Sequence, residues 1–205
     1  MLKSIFDGIM ERRAARLMEQ VRGWLPTEGP LLDLGSGTGH FAARLERELG
    51  VEVVTADVTD MHVTGRAPVI VADGVLPFGD GTFPAVLLFF MLAYPEHPTA
   101  VLTEAARVSS GPIIVVQSLY SGRLGHLWHR WREFVWTIIA FHVSKLIGYV
   151  PREAKFTMST RRFYTARALE REAAAAGLRM RSRRERPVLP GRALMVAAWM
   201  LERDD

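Results

Sequence analysis

Short apolar runs alternate with amphipathic stretches along most of this 205-residue chain. Such alternation predicts strands interleaved with helices, which is the layout of an α/β fold built on a mostly parallel sheet. A proline-containing turn joins the last two predicted strands, which are therefore expected to pair antiparallel. The predicted helices cover residues 4–24, 41–49, 99–108 and 166–176, and the predicted strands cover residues 31–34, 51–56, 68–71, 85–92, 113–117, 178–186 and 193–200.

Three glycines at alternate positions separate the first predicted strand from the helix after it. Gly35, Gly37 and Gly39 follow Asp33 in the spacing D-x-G-x-G-x-G. A strand, a tight glycine turn and a helix form the first unit of a nucleotide-binding sheet, because glycine lets a ligand lie close to the backbone. The dinucleotide pattern G-x-G-x-x-G would require glycine at position 40, where this chain has His40.

Two later aspartates lie where the same kind of sheet presents acids to a nucleotide. Asp57 ends the second predicted strand about twenty residues after the first glycine, the position from which an acid reaches ribose hydroxyls. Asp73 follows the third strand and opens the segment D-G-V-L-P-F at residues 73–78. The stretch between Asp57 and the third strand is short and contains Gly65, so no full helix is expected there.

In this order, the segments resemble the motifs of class I S-adenosylmethionine-dependent methyltransferases of the type 11 group. The similarity covers residues 30–120, and a weaker one covers 159–200. It implies a Rossmann-like doubly wound sheet of seven strands, with the last strand antiparallel, helices on both faces and a helical lid insertion. It also implies S-adenosylmethionine as cofactor and S-adenosylhomocysteine as product. The implied cofactor-binding residues are Asp33, Gly35, Ser36, Gly37, Thr38, Gly39, Asp57, Val58, Asp73, Gly74 and Phe90.

The resemblance assigns Asp33 and the glycine turn to the methionine end of the cofactor, Asp57 to the ribose and Asp73 to the adenine amine. It identifies no catalytic base, because relatives often have histidines where this chain has Ala93 and Tyr94. Tyr94 and His97 are the candidates. An ordinary tyrosine hydroxyl is a poor base at neutral pH, and His97 also fits a plain turn.

Composition and charge narrow the chemistry further. The chain has no cysteine, which excludes disulfides, thiolate metal sites and the cysteine adduct of pyrimidine carbon-5 methylation. His126 and His129 lack a third ligand, so no metal site is expected. The net charge is +4, with arginines concentrated in residues 179–186. Such a segment can bind nucleic acid or anionic lipid, although a solvated surface is the favoured interpretation.

Residues 121–160 do not fit the alternating pattern. Apolar and aromatic residues, including Trp128 and Trp131, recur every three or four positions and predict a long amphipathic helix within 122–147. Its apolar runs are shorter than the ~18 residues of a membrane span. The helix is interpreted as a lid over an acceptor pocket, an element at a membrane interface, or a core or dimer helix.

The length predicts a single methyltransferase domain over 1–205, with an N-terminal helix in 1–28 and the lid in 121–160. No secretory signal is recognised, so a cytoplasmic monomer or homodimer is expected, with peripheral membrane contact through 122–147 as an option. The expected activity is in-line methyl transfer to a small, apolar or lipid-like acceptor, with nucleic acid disfavoured. Two alternatives stay open: an RNA methyltransferase, and a catalytically inactive protein that only binds the cofactor.

Overall fold

The computed structural model describes residues 2–71, 74–120, 141–151, 160–188 and 194–204, and a few positions between 125 and 135. The helices in these ranges are α1 (Leu2–Val21), α2 (His40–Leu49), α3 (Pro98–Val108), α4 (Phe141–Leu146) and α5 (Ala166–Ala175), and a 3-10 turn, Arg22–Trp24, follows α1. The strands are β1 (Leu31–Leu34), β2 (Val53–Asp57), β3 (Val69–Ile70), β4 (Val86–Phe89), β5 (Ile113–Tyr120), β6 (Leu178–Pro187) and β7 (Leu194–Arg203).

The strands form a seven-stranded sheet in the order β3-β2-β1-β4-β5-β7-β6. Strands β1 to β5 are parallel, whereas β7 runs antiparallel to both β5 and β6. Strands β2 and β3 lie on one side of β1, and β4 and β5 lie on the other. The gap between β1 and β4 is therefore the switch point where open α/β sheets bind ligands. The predicted doubly wound sheet with a reversed last strand is confirmed.

Helices cover both faces of the sheet, as predicted. On one face, α1 and α2 join the strands in a buried apolar cluster that includes Leu17, Leu45 and Leu87. On the other face, α3 and α5 join a second cluster that includes Leu88, Leu102 and Leu169. Since neighbouring residues of a strand point to opposite faces, a strand covered on both sides needs a continuous apolar run, and β4 has one.

Strand β4 is shorter than predicted. The apolar run over 85–92 predicts a strand throughout, but β4 ends at Phe89 because Phe90 takes a left-handed φ of 56°. That conformation is rare for a bulky residue, and here it turns the chain out of the sheet at the strand's carboxyl end. In contrast, β5 and β7 are longer than predicted, because they pair with each other from Ile113 to Tyr120.

Residues 58–68, all of them described, contain no helix, which confirms the prediction from their spacing. Most of the predicted lid within 121–160 lies outside the described residues, and so does Asp73. Over the described parts of the chain, no helix combines the length and the apolar character that crossing a bilayer requires.

Candidate cofactor and acceptor site

A cavity of about 540 Å³ lies at the carboxyl ends of the central strands. One part of its wall is the glycine turn between β1 and α2 together with Asp57 at the end of β2. Another part is the segment from Phe89 to Pro95, and residues of α1 complete that side. The cavity therefore lies at the switch point of the sheet, where the sequence predicts the nucleotide site.

The glycine turn uses its glycines in two different ways. Gly35 and Gly39 have φ angles of 79° and 80°, and a Cβ on either would lie within 2.8 Å of a neighbouring side-chain atom. Gly37 has a φ of 57°, but a Cβ there would meet nothing within 4 Å. Gly35 and Gly39 are therefore required by packing, whereas Gly37 leaves open space that faces the cavity.

The Asp57 carboxylate fastens the end of β2 to this turn. Its Oδ2 accepts the Gly37 N–H at 2.9 Å, and its Oδ1 accepts the Val58 N–H at 2.7 Å. Burial raises the pKa of Asp57, and these backbone hydrogen bonds partly oppose the rise. Oδ1 also accepts the Thr59 N–H in a longer contact of 3.4 Å, whereas Oδ2 keeps a further lone pair for a hydroxyl of a bound diol.

Asp33 is the most perturbed acid of the site. Its side chain lies within the sheet at 2% exposure. Burial, with a smaller contribution from the negative charge of Asp57, raises the pKa of Asp33 from 3.8 to about 7. A carboxyl group in this condition loses its proton readily when a positive charge arrives beside it.

A polar loop supports the turn where a helix would otherwise stand. The His62 Nδ1 lies 2.7 Å from the Arg66 carbonyl oxygen, and its Nε2 lies 2.8 Å from the Ser36 hydroxyl. Because a carbonyl only accepts, Nδ1 carries a proton, and in the neutral imidazole the Ser36 hydroxyl then donates to Nε2. The Thr64 hydroxyl also donates to the Thr38 carbonyl at 3.3 Å. Sequence reasoning missed His62, which no motif marks.

A second unpredicted group joins α1 to the turn. The His40 Nδ1 lies 3.0 Å from the Thr38 hydroxyl, and its Nε2 lies 3.3 Å from Asp7 Oδ1. The Tyr149 hydroxyl donates to Asp7 Oδ1 at 2.9 Å and lies 3.2 Å from His40 Nε2. Burial, and then the contact with Asp7, raises the pKa of Tyr149 above its ordinary value. We call Asp7, His40 and Tyr149 the α1 clasp.

The segment after β3 is held from α3. Glu104 accepts the Leu76 N–H at 2.8 Å, and Arg107 donates to the Leu76 and Phe78 carbonyls at 3.1 and 2.9 Å. The hydrogen bond from Arg107 lowers the pKa of Glu104. These contacts hold the L-P-F turn of residues 76–78 against α3, close to Gly74 on the cavity wall.

The comparisons with known proteins agree with this geometry. A sequence model of the methyltransferase domain matches residues 6–183. This chain belongs to the methyltransferase-domain family. An uncharacterized protein of Mycobacterium tuberculosis is 30% identical over 161 residues, which cover 76% of this methyltransferase and 48% of that protein. The methyltransferase spans about half the length of the curated relatives it matches.

Solved methyltransferases share the fold. The partner of the Trm112 activator in a complex from Haloferax volcanii has a TM-score of 0.63 at 16% identity, covering 94% of this chain and 92% of that chain. A geranyl diphosphate C-methyltransferase from Streptomyces coelicolor, solved with Mg²⁺, geranyl diphosphate and S-adenosylhomocysteine, has a TM-score of 0.58 at 14% identity, covering 94% and 80%. The family match and the shared fold agree with the class I S-adenosylmethionine-dependent methyltransferase motifs in the sequence of this chain.

Most of the site residues predicted for this methyltransferase meet at the cavity. The predicted residues on its wall are Asp33, Gly35, Ser36, Gly37, Thr38, Asp57, Val58, Gly74 and Phe90. Gly39 is buried beneath them, and Asp73 is outside the described residues. Of the two candidate bases, Tyr94 lines the cavity, whereas His97 is exposed and precedes α3. Among the described residues, no cluster of histidines and acids has the composition of a metal site.

Proposed function

We propose that this methyltransferase methylates a small, largely apolar acceptor. The observation that carries the proposal is the character of the cavity, which continues from the glycine turn and the two aspartates to a mainly apolar wall. That apolar wall includes Phe6, Met10, Leu17, Phe90, Met91, Pro95, Phe141 and Val150. Ligand sites of this kind, apolar with a few placed polar groups, are typical of small-molecule pockets.

We further propose that the polar end of the cavity holds the cofactor. Asp57 can accept the two ribose hydroxyls while it keeps the Gly37 and Val58 N–H groups, with the longer Thr59 contact at Oδ1 giving way. The open space at Gly37 leaves room for a ligand against the backbone. Asp33, whose pKa is close to neutral, suits the positively charged methionine end. The Asp73 assignment to adenine stays a prediction.

Methyl transfer requires the protein mainly to position the two reactants. S-adenosylmethionine supplies an electrophilic methyl carbon, which the acceptor's lone pair displaces in line with the carbon–sulfur bond. Phe90 and Met91, at the turn that ends β4, border the space where the two reactants would meet. Their apolar surfaces exclude water, and a fixed approach can supply much of the rate enhancement without a strong base. Tyr94 stays a candidate for a hydrogen bond to the acceptor.

Two further expectations become proposals on partial support. Phe141 and Ser144 of α4 line the cavity, which favours a lid within residues 121–160 of a single domain, 1–205. Peripheral membrane contact through residues 122–147 stays a prediction, as do the cytoplasmic location and the oligomeric state. The geranyl diphosphate methyltransferase shares the fold and acts on a prenyl compound, which is consistent with an apolar acceptor here.

The described contacts of the basic segment give little support to the RNA alternative. Arg181 forms an ion pair with Glu202 at 2.5 Å, and Arg183 forms one with Glu170 at 3.3 Å. These pairs on β6 and its neighbours offset much of the positive charge that RNA phosphates would require.

A labelled methyl donor tests the proposal directly. Purified protein is incubated with tritiated S-adenosylmethionine and fractionated cell extract, and label is followed into organic-extractable, nucleic acid and protein fractions. We expect label in the organic-extractable fraction. Label in RNA would establish the RNA alternative. Donor binding by calorimetry without label in any fraction would establish an inactive cofactor-binding protein. The Asp57→Ala variant controls for label carried over by other enzymes.

A further inference from the structure

We infer that Gln117 and Ser118, near the end of β5, are the hydrogen-bonding contacts of the methyl acceptor, and that the acceptor carries a hydroxyl or N–H group on an apolar body. This inference rests on the proposed function and specifies its acceptor. Neither residue belongs to the motifs that identify the family. The sequence predicts Gln117 only as the last residue of a strand, and Ser118 follows that strand.

The two residues lie in a gap in the sheet. Strand β4 pairs with β5 only as far as Val116, whose carbonyl accepts the Phe90 N–H at 2.7 Å. Three residues further on, Leu119 forms a bridge with Tyr164. Between these points, Gln117 and Ser118 have β7 on one side and, on the other, the space that β4 leaves when it turns out of the sheet.

Both side chains are almost completely buried and carry an oxygen that has no partner. Gln117 is 4% exposed and Ser118 is 2% exposed. Within the described chain, neither the Gln117 Oε1 nor the Ser118 Oγ has a hydrogen-bond partner. Buried polar atoms are nearly always paired in folded proteins, so an unpaired one at a cavity points to a ligand or an ordered water.

Both residues line the cavity. On the same strand, Val115 belongs to the buried cluster on the α3 side and Val116 to the cluster on the α1 side. Neighbouring positions on a strand point in opposite directions, so Gln117 lies on the α3 side and Ser118 on the α1 side. A serine hydroxyl rotates about one bond and a glutamine amide about three, so both can reach a molecule in the cavity without any change of backbone.

Their distance from the nucleotide end of the site assigns them to the acceptor and not to the cofactor. Strand β5 is two strands from β1 in the sheet order. Adjacent strands are ~4.8 Å apart, which puts Gln117 and Ser118 about 10 Å across the sheet from the glycine turn. The segment from Phe90 to Tyr94 lies between the glycine turn and these two residues, and the methyl group would be transferred beside it.

The chemistry of the oxygens defines the acceptor class. An amide oxygen only accepts hydrogen bonds, so Gln117 Oε1 requires a donor from the ligand. A serine hydroxyl serves as donor or acceptor. The two arginines at the cavity have described contacts of their own: Arg13 stacks over the Phe90 ring at 4.5 Å and Arg162 donates to the Glu96 carbonyl at 2.6 Å. No cationic side chain at the cavity therefore calls for an anionic acceptor, and the requirement left unmet by the described residues is for a hydrogen-bond donor.

Stability gives a first test that needs no acceptor. Removing an unpaired buried oxygen should stabilise the free protein, so Gln117→Leu and Ser118→Ala should each raise the melting temperature by about 2–4 °C. The matched control is Ser144→Ala, because the Ser144 hydroxyl also lines the cavity but donates to the Phe141 carbonyl at 2.7 Å. That variant should melt at or below the wild-type temperature.

Probe binding gives the second test. Calorimetry compares 2-naphthol with 2-methoxynaphthalene in the presence of saturating S-adenosylhomocysteine, since the ether has the same apolar body but no donor. Wild type should bind the naphthol at least tenfold more tightly. Gln117→Leu should make the two affinities equal within twofold, and Ser118→Ala should weaken both. Gln20→Leu, which lies away from the cavity on α1, should keep the wild-type ratio.

The outcomes separate this inference from the proposed function. Lower melting temperatures for both variants, no naphthol binding to wild type at millimolar concentration, or an unchanged ratio in Gln117→Leu would each overturn it. An unchanged ratio would mean that ordered water satisfies both oxygens. If Gln117→Leu labels the extract acceptor as fast as wild type does, the inference fails while the proposed function stands. If wild type labels nothing, the proposed function fails while the naphthol ratio still decides the inference.

Discussion

Replacing Asp33 with asparagine should change how the stability of the free protein depends on pH. Asparagine has almost the same shape but cannot ionise. In the wild type, burial raises the pKa of Asp33 from 3.8 to about 7. The folded protein therefore binds a proton at Asp33 that the unfolded chain has already lost between these two values, and stability falls as the pH rises through that window.

The size of the effect follows from the two pKa values. A pKa difference of one is worth about 1.4 kcal/mol, so the ionised Asp33 costs the folded state about 4 kcal/mol above pH 7. Between pH 5 and pH 8, the wild type should lose roughly 3 kcal/mol that Asp33→Asn keeps. The measurement is urea denaturation of both proteins at several pH values in this range, with equal m-values as the check on two-state unfolding.

The exposed Glu28 provides the control, because Glu28→Gln also removes one negative charge. A stability difference between Asp33→Asn and wild type that stays constant from pH 5 to pH 8, or that matches the Glu28→Gln difference, would refute the reasoning. A second experiment measures ligand binding with the same proteins. If the positive end of S-adenosylmethionine lies beside Asp33, binding near pH 7 should release more protons in wild type than in Asp33→Asn, as calorimetry in two buffers measures.

Three other changes test the site at separate places. Gly37→Ala should weaken donor binding at least tenfold but cost only the ~1–2 kcal/mol of its left-handed backbone, whereas Gly39→Ala should destabilise the fold further, because its Cβ would lie 2.7 Å from a side-chain oxygen; equal urea midpoints would contradict this. Tyr149→Phe should lower the free energy of unfolding by about 1 kcal/mol through loss of its hydrogen bonds, and an unchanged midpoint would count against the clasp. Glu104→Ala leaves a buried N–H unpaired and should cost about 1–3 kcal/mol in the same measurement, with weaker donor binding if the turn it holds shapes the adenine end.

Local sequence signals predicted the elements of this fold well. Thr165 caps α5 as its residue type indicates, accepting the Ala168 N–H at 3.2 Å. Gly50 ends α2 with a left-handed φ of 68°, which glycine adopts at little cost. The nucleotide end was also predictable, because Asp33, Asp57 and the glycines lie on consecutive elements whose order along the chain fixes their meeting point.

The rest of the site depends on contacts between distant parts of the chain. His62 meets Ser36 across 26 positions, and Tyr149 meets His40 across 109. No periodicity or spacing encodes such pairs, so the sequence distinguishes His40 only as the residue that breaks a dinucleotide pattern. The early end of β4 was missed for another reason: an apolar run shows burial, and the left-handed φ of Phe90 leaves no mark in that run.

The α1 clasp has a consequence for how ligands enter and leave. Helix α1 buries Ala14, Leu17, Met18 and Val21 in its second half, while Leu2 and Ile5 in its first half are each 49% exposed. The first half is therefore held mainly by side-chain contacts: Asp7 in the clasp, Phe6 on the Tyr149 ring, and Glu11, whose carboxylate pairs with two arginines of α2 at 3.3 and 3.5 Å. Segments with so few buried contacts open most easily, so amide hydrogen exchange over residues 5–12 should be fast in the free protein and slow once the cavity is filled.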